Sequence, residues 1–318
     1  MFSTETKSLP RYSGAATRKR RRDSRVQRGW AFCNSCPRKT TMKFHPECYV
    51  KYVHYPSQLN EEALKKTCFQ KPLTKDQQVL EVGCGIGHFA QQFLLPHCQP
   101  CRRLVATDLQ PDMVRFARER FPHEDIVYDV LDIATPNLSP FLEKYGKFDR
   151  VFSFLTFHMI QDQKTAYANV SKLLNEGGEC LVLGFASHDI VDVCAELCQT
   201  DRWKGRVPDP RKAAHPTFNF NRVKSASQVE AEVRDTLRGT GLECLSCDVY
   251  DSGWKYDDMD SLLDMFLTTL PFRSTVPDED WEDFRTVWAE MMFRKLSPSP
   301  GKPLEVKFSL YAVHARHA

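Results

Sequence analysis

The sequence has 318 residues, 42% of them hydrophobic, which is enough for one large α/β core with insertions or two modest ones. No apolar run approaches the ~20 residues of a membrane-spanning helix, and no apolar stretch follows a charged start. We therefore expect neither a membrane span nor a secretory signal. The 12 cysteines lie mostly in helix-like or strand-like segments, and we expect them to be reduced.

The net charge of +3 is unevenly distributed. Residues 1–30 carry nine Lys/Arg and two acidic residues, a net +7, whereas the rest of the chain sums to −4. The block RKRRR at 18–22 lacks apolar periodicity, so we predict that residues 1–44 form a disordered basic extension. A nuclear-import signal, a nucleic-acid contact and a plain solvated tail all remain open for this block. We otherwise expect a cytoplasmic protein.

Potential zinc ligands follow the basic block. Cys33 and Cys36 precede His45 and Cys48, and all four are residue types that bind zinc. Their spacing matches no common zinc finger. We therefore predict no metal site and leave the role of these residues open.

Residues 45–70 have the apolar spacing of one or two helices ahead of the first strand. We predict that these helices close over a bound ligand. The side chains that are candidates to line this lid are Tyr49, Tyr52, Tyr55 and Gln58, although the tyrosines are equally compatible with core packing.

A glycine-rich turn follows the first predicted strand, which spans residues 79–82. It contains glycines at alternate positions, Gly83, Gly85 and Gly87. Glycines let the backbone approach a ligand closely. The spacing differs from the G-x-G-x-x-G of dinucleotide binders, and the acidic Glu81 would repel phosphate but attract a cation. The alternative is a βα turn without a ligand.

This E-x-G-x-G-x-G pattern resembles motif I of the class I S-adenosylmethionine-dependent methyltransferases, whose cofactor carries a sulfonium and an ammonium. Asp108 ends the second predicted strand, where an acid can accept hydrogen bonds from both ribose hydroxyls. The fold family usually places the adenine near Asp132 and Ile133. The alternatives are an N-cap role for Asp108 and a plain surface position for Asp132. The predicted cofactor contacts are Glu81, Gly83, Cys84, Gly85, Gly87, Asp108, Leu109, Met113, Asp132, Ile133 and Ser153.

Strands and helices alternate through residues 79–183. Strands are predicted at 79–82, 103–108, 126–128, 148–154 and 179–183, with helices at 111–120 and 163–174. This alternation indicates a doubly wound, mostly parallel α/β sheet, for which the resemblance implies seven strands. After the fourth strand the sequence lacks the Asn/Asp-Pro-Pro-Tyr/Phe element with which related enzymes methylate bases, so a nucleobase substrate is disfavoured.

The second half is less regular. Its predicted helices are 225–238, 258–270 and 278–295, and its strands are 242–254 and 304–314. We predict one methyltransferase domain over 45–318, with a helical cap at about 255–300 that covers a substrate pocket; ordinary core packing is the alternative for these helices. The predicted pocket-lining side chains are Phe154, Phe157, Met159, Trp254 and Trp288.

Several strings are similar to juvenile hormone acid O-methyltransferases (farnesoic acid methyltransferase-like). They are Met113-Val114-Arg115-Phe116-Ala117-Arg118, Leu131-Asp132-Ile133, Phe148-Asp149-Arg150-Val151-Phe152-Ser153-Phe154 and Gln161-Asp162-Gln163. The resemblance covers about residues 45–318 and implies methyl-ester formation on a terpenoid carboxylate in juvenile hormone biosynthesis. It also implies that Gln58 contacts the substrate. The second candidate catalytic residue is His158, which could donate a hydrogen bond that orients the acid; a helix-capping or core histidine is the alternative. Met159 stands where the family typically has a tryptophan.

Three functions remain open at this point. The first is O-methylation of a small hydrophobic carboxylic acid, which is ionised near neutral pH and needs no general base. The second is methylation of an amine, phenol or thiol, with His158 or a tyrosine as the base. The third is a non-catalytic binding protein whose basic tail contacts nucleic acid. Intact Glu81, Asp108 and glycines argue against the third.

Overall fold

In the computed structural model, the described residues are 45–70, 72–212, 214–270, 275–296 and 303–318. The basic block at 18–22, Cys33 and Cys36 lie outside these ranges, as do the predictions made for them. The helices are α1 Pro46–Tyr49, α2 His54–Lys66, α3 Leu95–Cys98, α4 Pro111–Arg120, α5 Ser139–Tyr145, α6 Gln163–Leu173, α7 Asp189–Leu197, α8 Ala226–Leu237, α9 Met259–Thr269 and α10 Trp281–Leu296. The strands are β1 Gln78–Val82, β2 Arg103–Asp108, β3 Ile126–Val130, β4 Phe148–Phe154, β5 Leu174–His188, β6 Leu242–Tyr256 and β7 Leu304–His317.

The seven strands form one sheet in the order β3-β2-β1-β4-β5-β7-β6. Strands β1 to β5 pair in parallel, and β7 runs antiparallel between β5 and β6. The prediction of a doubly wound, mostly parallel seven-stranded sheet is confirmed. The chain reverses its direction of winding between β1 and β4, and ligands of such sheets bind at the carboxyl ends of the strands around that point.

Apolar residues cover both faces of the sheet. In β1, Val79 joins one buried cluster and Leu80 joins the other, and neither side chain is exposed to solvent. A strand buried on both faces reads as a continuous apolar run, which is why β1 could be predicted. Glu81 interrupts this run. It lies on the same face of the sheet as Val79, since side chains alternate along a strand.

The structure contains helices that the sequence pattern did not reveal. Helix α7 follows the long strand β5 directly, although its acidic residues Asp189, Asp192 and Glu196 recur at helical spacing. Helix α5 is short and begins beside a proline. Strand β5 also begins earlier than predicted: Leu174 already pairs with Phe148, so α6 ends at Leu173. Gly177 and Gly178 lie between Leu174 and Glu179, where the register between β5 and β4 shifts.

Three further properties apply to the described residues. In chain order, helices α9 and α10 come between β6 and β7, where the cap was predicted. Helix α10 also packs against α7. Across the ranges given above, no helix combines the length and apolarity that crossing a bilayer requires. Within the same ranges, no three His, Cys, Asp or Glu residues are grouped so that they could hold a metal ion.

Candidate active site

The turn between β1 and the next helix is built on three glycines with positive φ angles, 82° at Gly83, 55° at Gly85 and 81° at Gly87. A Cβ atom on Gly83 would lie 2.0 Å from Thr156 Oγ1, and one on Gly87 would lie 2.7 Å from Ala117 Cβ. A Cβ on Gly85 would meet no atom within 4 Å. Gly83 and Gly87 are therefore required for packing, whereas Gly85 borders open space.

Glu81 is a buried carboxyl group at the carboxyl end of β1. Its side chain is 2% exposed, and Oε2 has no hydrogen-bond partner among the described residues. Burial, followed by the charge of Asp108, raises the pKa of Glu81 from 4.5 to about 8. A buried carboxylate is costly without a partner. A cationic ligand beside Oε2 would supply that partner.

Asp108 connects the end of β2 to the glycine turn. Its Oδ2 accepts a hydrogen bond from the Gly85 N–H at 3.0 Å, and its Oδ1 accepts one from the Gln110 N–H at 2.8 Å. Burial raises its pKa despite these two bonds. The N-cap residue of α4 is Gln110 rather than Asp108, and no side chain caps this helix. Asp108 thus holds the turn in place at the sheet edge where a ligand would lie.

The other predicted cofactor contacts lie around the same edge with different exposure. Cys84 is buried, and burial raises the pKa of its thiol well above the ordinary value. Leu109 is half exposed, whereas Met113 is buried against Ile86. Ser153 is fully buried and its Oγ donates to the Val82 carbonyl at 2.8 Å, so it joins β4 to β1.

Asp132 and Ile133 lie in the segment that follows β3. Asp132 is exposed, and its Oδ1 accepts the Ala134 N–H at 3.0 Å. Ile133 is buried. The amide of Asn169 donates to the carbonyls of Ile133 and Thr135, both at 2.8 Å. This fixes the position of the segment, a role for Asn169 that its sequence context did not reveal.

The N-terminal helices cover this edge. Tyr49, at the end of α1, packs beside the small cluster of Ile86, Met113 and Phe116. Its hydroxyl donates to the Thr269 carbonyl at 3.2 Å, and burial and then the charge of Asp108 raise its pKa. The next turn of chain is joined to the cap as well, since Lys51 and Tyr52 both bind the carboxylate of Asp264 in α9.

An aromatic cluster lies beyond the carboxyl ends of β4 and β5. Its members are His158, Phe185, His188, Trp254, Phe266 and Phe308. The rings of His158 and Phe185 are 5.1 Å apart, and His188 stacks on Phe308 at 5.3 Å. The residues come from three strands, β5, β6 and β7, from helix α9 and from the turn after β4. Sequence reasoning missed Phe185 and His188, whose only signal was their place at the end of a buried strand.

Two polar atoms of this cluster lack hydrogen-bond partners. His158 Nδ1 and Trp254 Nε1 are buried, and neither has a hydrogen-bond partner among the described residues. Burial lowers the pKa of His158 to about 4 and that of His188 to about 3, so both rings are neutral at pH 7. The His188 Nδ1 accepts the Ile190 N–H at 3.2 Å, which places the proton of the neutral ring on Nε2.

The remaining predicted substrate residues are spread more widely. Phe157 is fully buried against Tyr167, Phe154 is buried against Phe89, and Met159 is 50% exposed. Trp288 is fully buried on α10, with its ring 6.4 Å from Phe266. Only Trp254 joins the cluster itself.

The predicted glutamine occupies the outer side of its helix. Gln58 is exposed on α2, two residues before Asn60. Asn60 is 6% exposed, and its Oδ1 lacks a hydrogen-bond partner among the described residues. The amide on α2 that faces the interior and can still accept a hydrogen bond is therefore that of Asn60, which the sequence pattern did not single out.

Comparison with known proteins agrees with this geometry. Residues 80–180 match the family described as Methyltransferase domain. The chain is 28% identical to the juvenile hormone acid O-methyltransferase of Bombyx mori, over 75% of this chain and 84% of that one. It is also 28% identical to the enzyme of that name from Drosophila melanogaster, over 66% and 68% of the two chains. A malonyl-[acyl-carrier protein] O-methyltransferase of Hahella chejuensis is 31% identical over 55% of this chain and 56% of its own.

The chain contains a methyltransferase domain, and S-adenosylmethionine is its cofactor. The residues of the glycine turn fit this cofactor on three counts. Glu81 Oε2 is an unsatisfied buried acid suited to the ammonium group, Gly85 leaves space beside the backbone, and Asp108 stands at the tip of β2.

Replacing Asp108 tests its contribution to cofactor binding by this methyltransferase. We expect Asp108→Ala to weaken S-adenosylmethionine binding by about 1.5–3 kcal/mol, because hydrogen bonds to a charged acceptor are lost. Calorimetric titration of both proteins measures the difference. Asp112→Ala, in the first turn of α4, is a control that leaves the glycine turn untouched. Equal affinity of the Asp108 variant and the parent would contradict the assignment.

Proposed function

We propose that this methyltransferase converts the carboxylate of a small, hydrophobic, terpenoid-like acid into its methyl ester. One observation carries the proposal: the aromatic cluster encloses a buried Trp254 N–H that has no acceptor in the part of the chain that the structure describes. An indole N–H can only donate a hydrogen bond. A ligand that accepts hydrogen bonds and is otherwise apolar, such as a long-chain carboxylate, matches such a surface.

The protonation of the cluster supports the same choice. S-adenosylmethionine, when bound, supplies a methyl group on a sulfonium. A carboxylate is already ionised at pH 7, so no residue has to remove a proton. A phenol or thiol would need a base, and a histidine whose pKa is about 4 is a poor base for groups whose ordinary pKa is about 8.5 to 10. His158 is better suited to orient an acid than to deprotonate another nucleophile.

The relatives support an oxygen acceptor as well. Two are named for a juvenile hormone acid and the third for malonyl-[acyl-carrier protein], and all three are O-methyltransferases. We infer that the substrate here is a juvenile hormone-like terpenoid acid and that the reaction takes place in the cytoplasm. We also propose His158 as a polar contact of this acid, whereas the exposed position of Gln58 does not support such a role for it. The proposed apolar contacts are Phe154, Phe157, Met159, Trp254 and Trp288.

A substrate panel tests this function. Purified protein is incubated with methyl-labelled S-adenosylmethionine and farnesoic acid, a saturated fatty acid, a primary amine or a phenol. We expect label only in products of the acids, and we expect mild alkali to release it as methanol, because esters hydrolyse whereas methylamines and aryl ethers do not. Alkali-stable label in the amine or phenol product would contradict the proposal.

A further inference from the structure

Arg222 lies in the segment between α7 and α8 and is bound through only one arm of its guanidinium group. Nη1 donates to Asp189 Oδ1 at 2.7 Å. Nη2 is buried and has no acceptor among the described residues. Leaving a charged, buried donor unsatisfied costs more than leaving a neutral one. An anionic group beside Nη2 would remove that cost.

The backbone around Arg222 is held in an unfavourable conformation. Asn221 and Arg222 have φ angles of 54° and 51°, in the left-handed region that residues with a Cβ rarely adopt. The Asn221 N–H donates to Asp192 Oδ1 at 2.8 Å, which helps to fix this conformation. Such strain persists where the surrounding structure enforces it, and it is concentrated at ligand sites. The position of the guanidinium group is therefore set by the fold.

Arg222 is next to the aromatic cluster. Its partner Asp189 directly follows His188 in the chain. The other Asp189 oxygen accepts the N–H of Lys307 at 2.7 Å, and Lys307 precedes Phe308, on which His188 stacks. The charge of Arg222 is close enough to contribute, after burial and His158, to lowering the pKa of His188. Both Asp189 oxygens are thus occupied, and Arg222 Nη2 remains available.

The nearby acidic side chains are bound to other groups and do not accept a hydrogen bond from Arg222 Nη2. Asp192 Oδ2 is paired with Lys295 at 3.0 Å, and its Oδ1 accepts the Asn221 N–H. Two buried donors near His188 have no acceptor among the described residues, Arg222 Nη2 and the Trp254 Nε1–H. Arginine and tryptophan side chains cannot accept hydrogen bonds. The set therefore matches a group that only accepts them.

We propose that Arg222 binds the carboxylate of the acid substrate, with the Trp254 N–H as a second donor. This rests on the function proposed above and deepens it, since it identifies the group that distinguishes an acid from an alcohol or an amine of the same shape. Arginine suits this role because its planar group can bind Asp189 with one arm and the substrate with the other.

Binding measurements with two matched ligands test the proposal. Farnesoic acid and farnesol are titrated into the protein saturated with S-adenosylhomocysteine, by calorimetry. We expect Arg222→Met to raise the Kd of the acid about 10- to 100-fold, and Trp254→Phe, which keeps a ring but removes the N–H, to raise it about 5- to 10-fold. The Kd of farnesol should change less than about twofold in either variant.

Controls separate this result from general damage. Arg206→Met removes an exposed arginine that pairs with Asp280, and it should leave both affinities unchanged. Arg222→Lys keeps the charge and should lie between the parent and Arg222→Met. Equal losses for acid and alcohol, or no loss for the acid, would overturn the role of Arg222.

The two proposals fail in different ways. If the parent enzyme forms no methyl ester from any acid and binds no acid, the proposed function fails and the role of Arg222 fails with it. If esters form and the Arg222→Met variant has an unchanged KM for farnesoic acid, the proposed function stands and only the carboxylate-binding role is overturned.

Discussion

Gly85→Val is expected to abolish S-adenosylmethionine binding while the protein stays folded. Of the three glycines in the turn, Gly85 alone borders open space, so its added side chain would occupy the ligand's position instead of clashing with the protein. The left-handed backbone at φ 55° adds about 1–2 kcal/mol of strain. That is a modest part of the ~5–15 kcal/mol that stabilises a typical domain. Calorimetry and a thermal melt measure binding and folding separately.

Two other glycines provide matched controls for this prediction. Gly239 has a φ of 72° and also has nothing within 4 Å of its Cβ position. Gly239→Val therefore adds the same kind of strain far from the turn, and it should keep cofactor affinity. Gly87→Val should instead fail to fold, because its Cβ would lie 2.7 Å from Ala117 Cβ and 2.8 Å from the Tyr128 ring. Cofactor binding by Gly85→Val with parent affinity would refute the assignment of the turn.

Glu81→Gln is expected to weaken cofactor binding about 30- to 1,000-fold, because removing one partner of a buried charge pair costs about 2–4 kcal/mol. The same change should stabilise the ligand-free protein at higher pH. The folded-state pKa of Glu81, about 8, lies above its ordinary value of 4.5. The folded protein therefore retains this proton, and its free energy of unfolding falls as pH rises from about 4.5 to about 8. Glutamine removes that dependence.

Two measurements check the Glu81 prediction. The Tm difference between Glu81→Gln and the parent, both without cofactor, should widen in favour of the variant from pH 5 to pH 8. In the parent at pH 7, cofactor binding should release a proton, seen as a dependence of the calorimetric enthalpy on the buffer; the variant should release none. A parent protein that is most stable at pH 8 and releases no proton on binding would show that Glu81 is not the cation partner.

Much of the parallel sheet could be predicted from the sequence. Strands β2 and β4 and helix α4 have the predicted bounds, because parallel strands buried on both faces leave continuous apolar runs that helices with clear periodicity separate. The aromatic cluster could not be predicted. Phe185 and His188 lie in a continuous apolar strand in which no residue stands out in the sequence. Their contact with Trp254 depends on the antiparallel strand β7, which lies between β5 and β6.

The different roles of the three glycines could not be predicted from the sequence either. A G-x-G-x-G pattern treats all three positions alike, whereas Gly83 and Gly87 are constrained by Thr156 and Ala117, which are distant in the chain. The same holds for Gln58 and Asn60, since the inner side of α2 is decided by what it packs against. The local sequence does not predict the left-handed backbone at Arg222, because arginine has no preference for that conformation.

The attachment of the N-terminal helices has a kinetic consequence. Tyr49 packs beside the cofactor turn and bonds to Thr269 at the end of α9, and Asp264 of the same helix holds Lys51 and Tyr52. One short segment thus fastens the cofactor turn to the cap. We expect the exchange of spent cofactor to move this segment and the cap together, and the frequency of that opening to limit turnover.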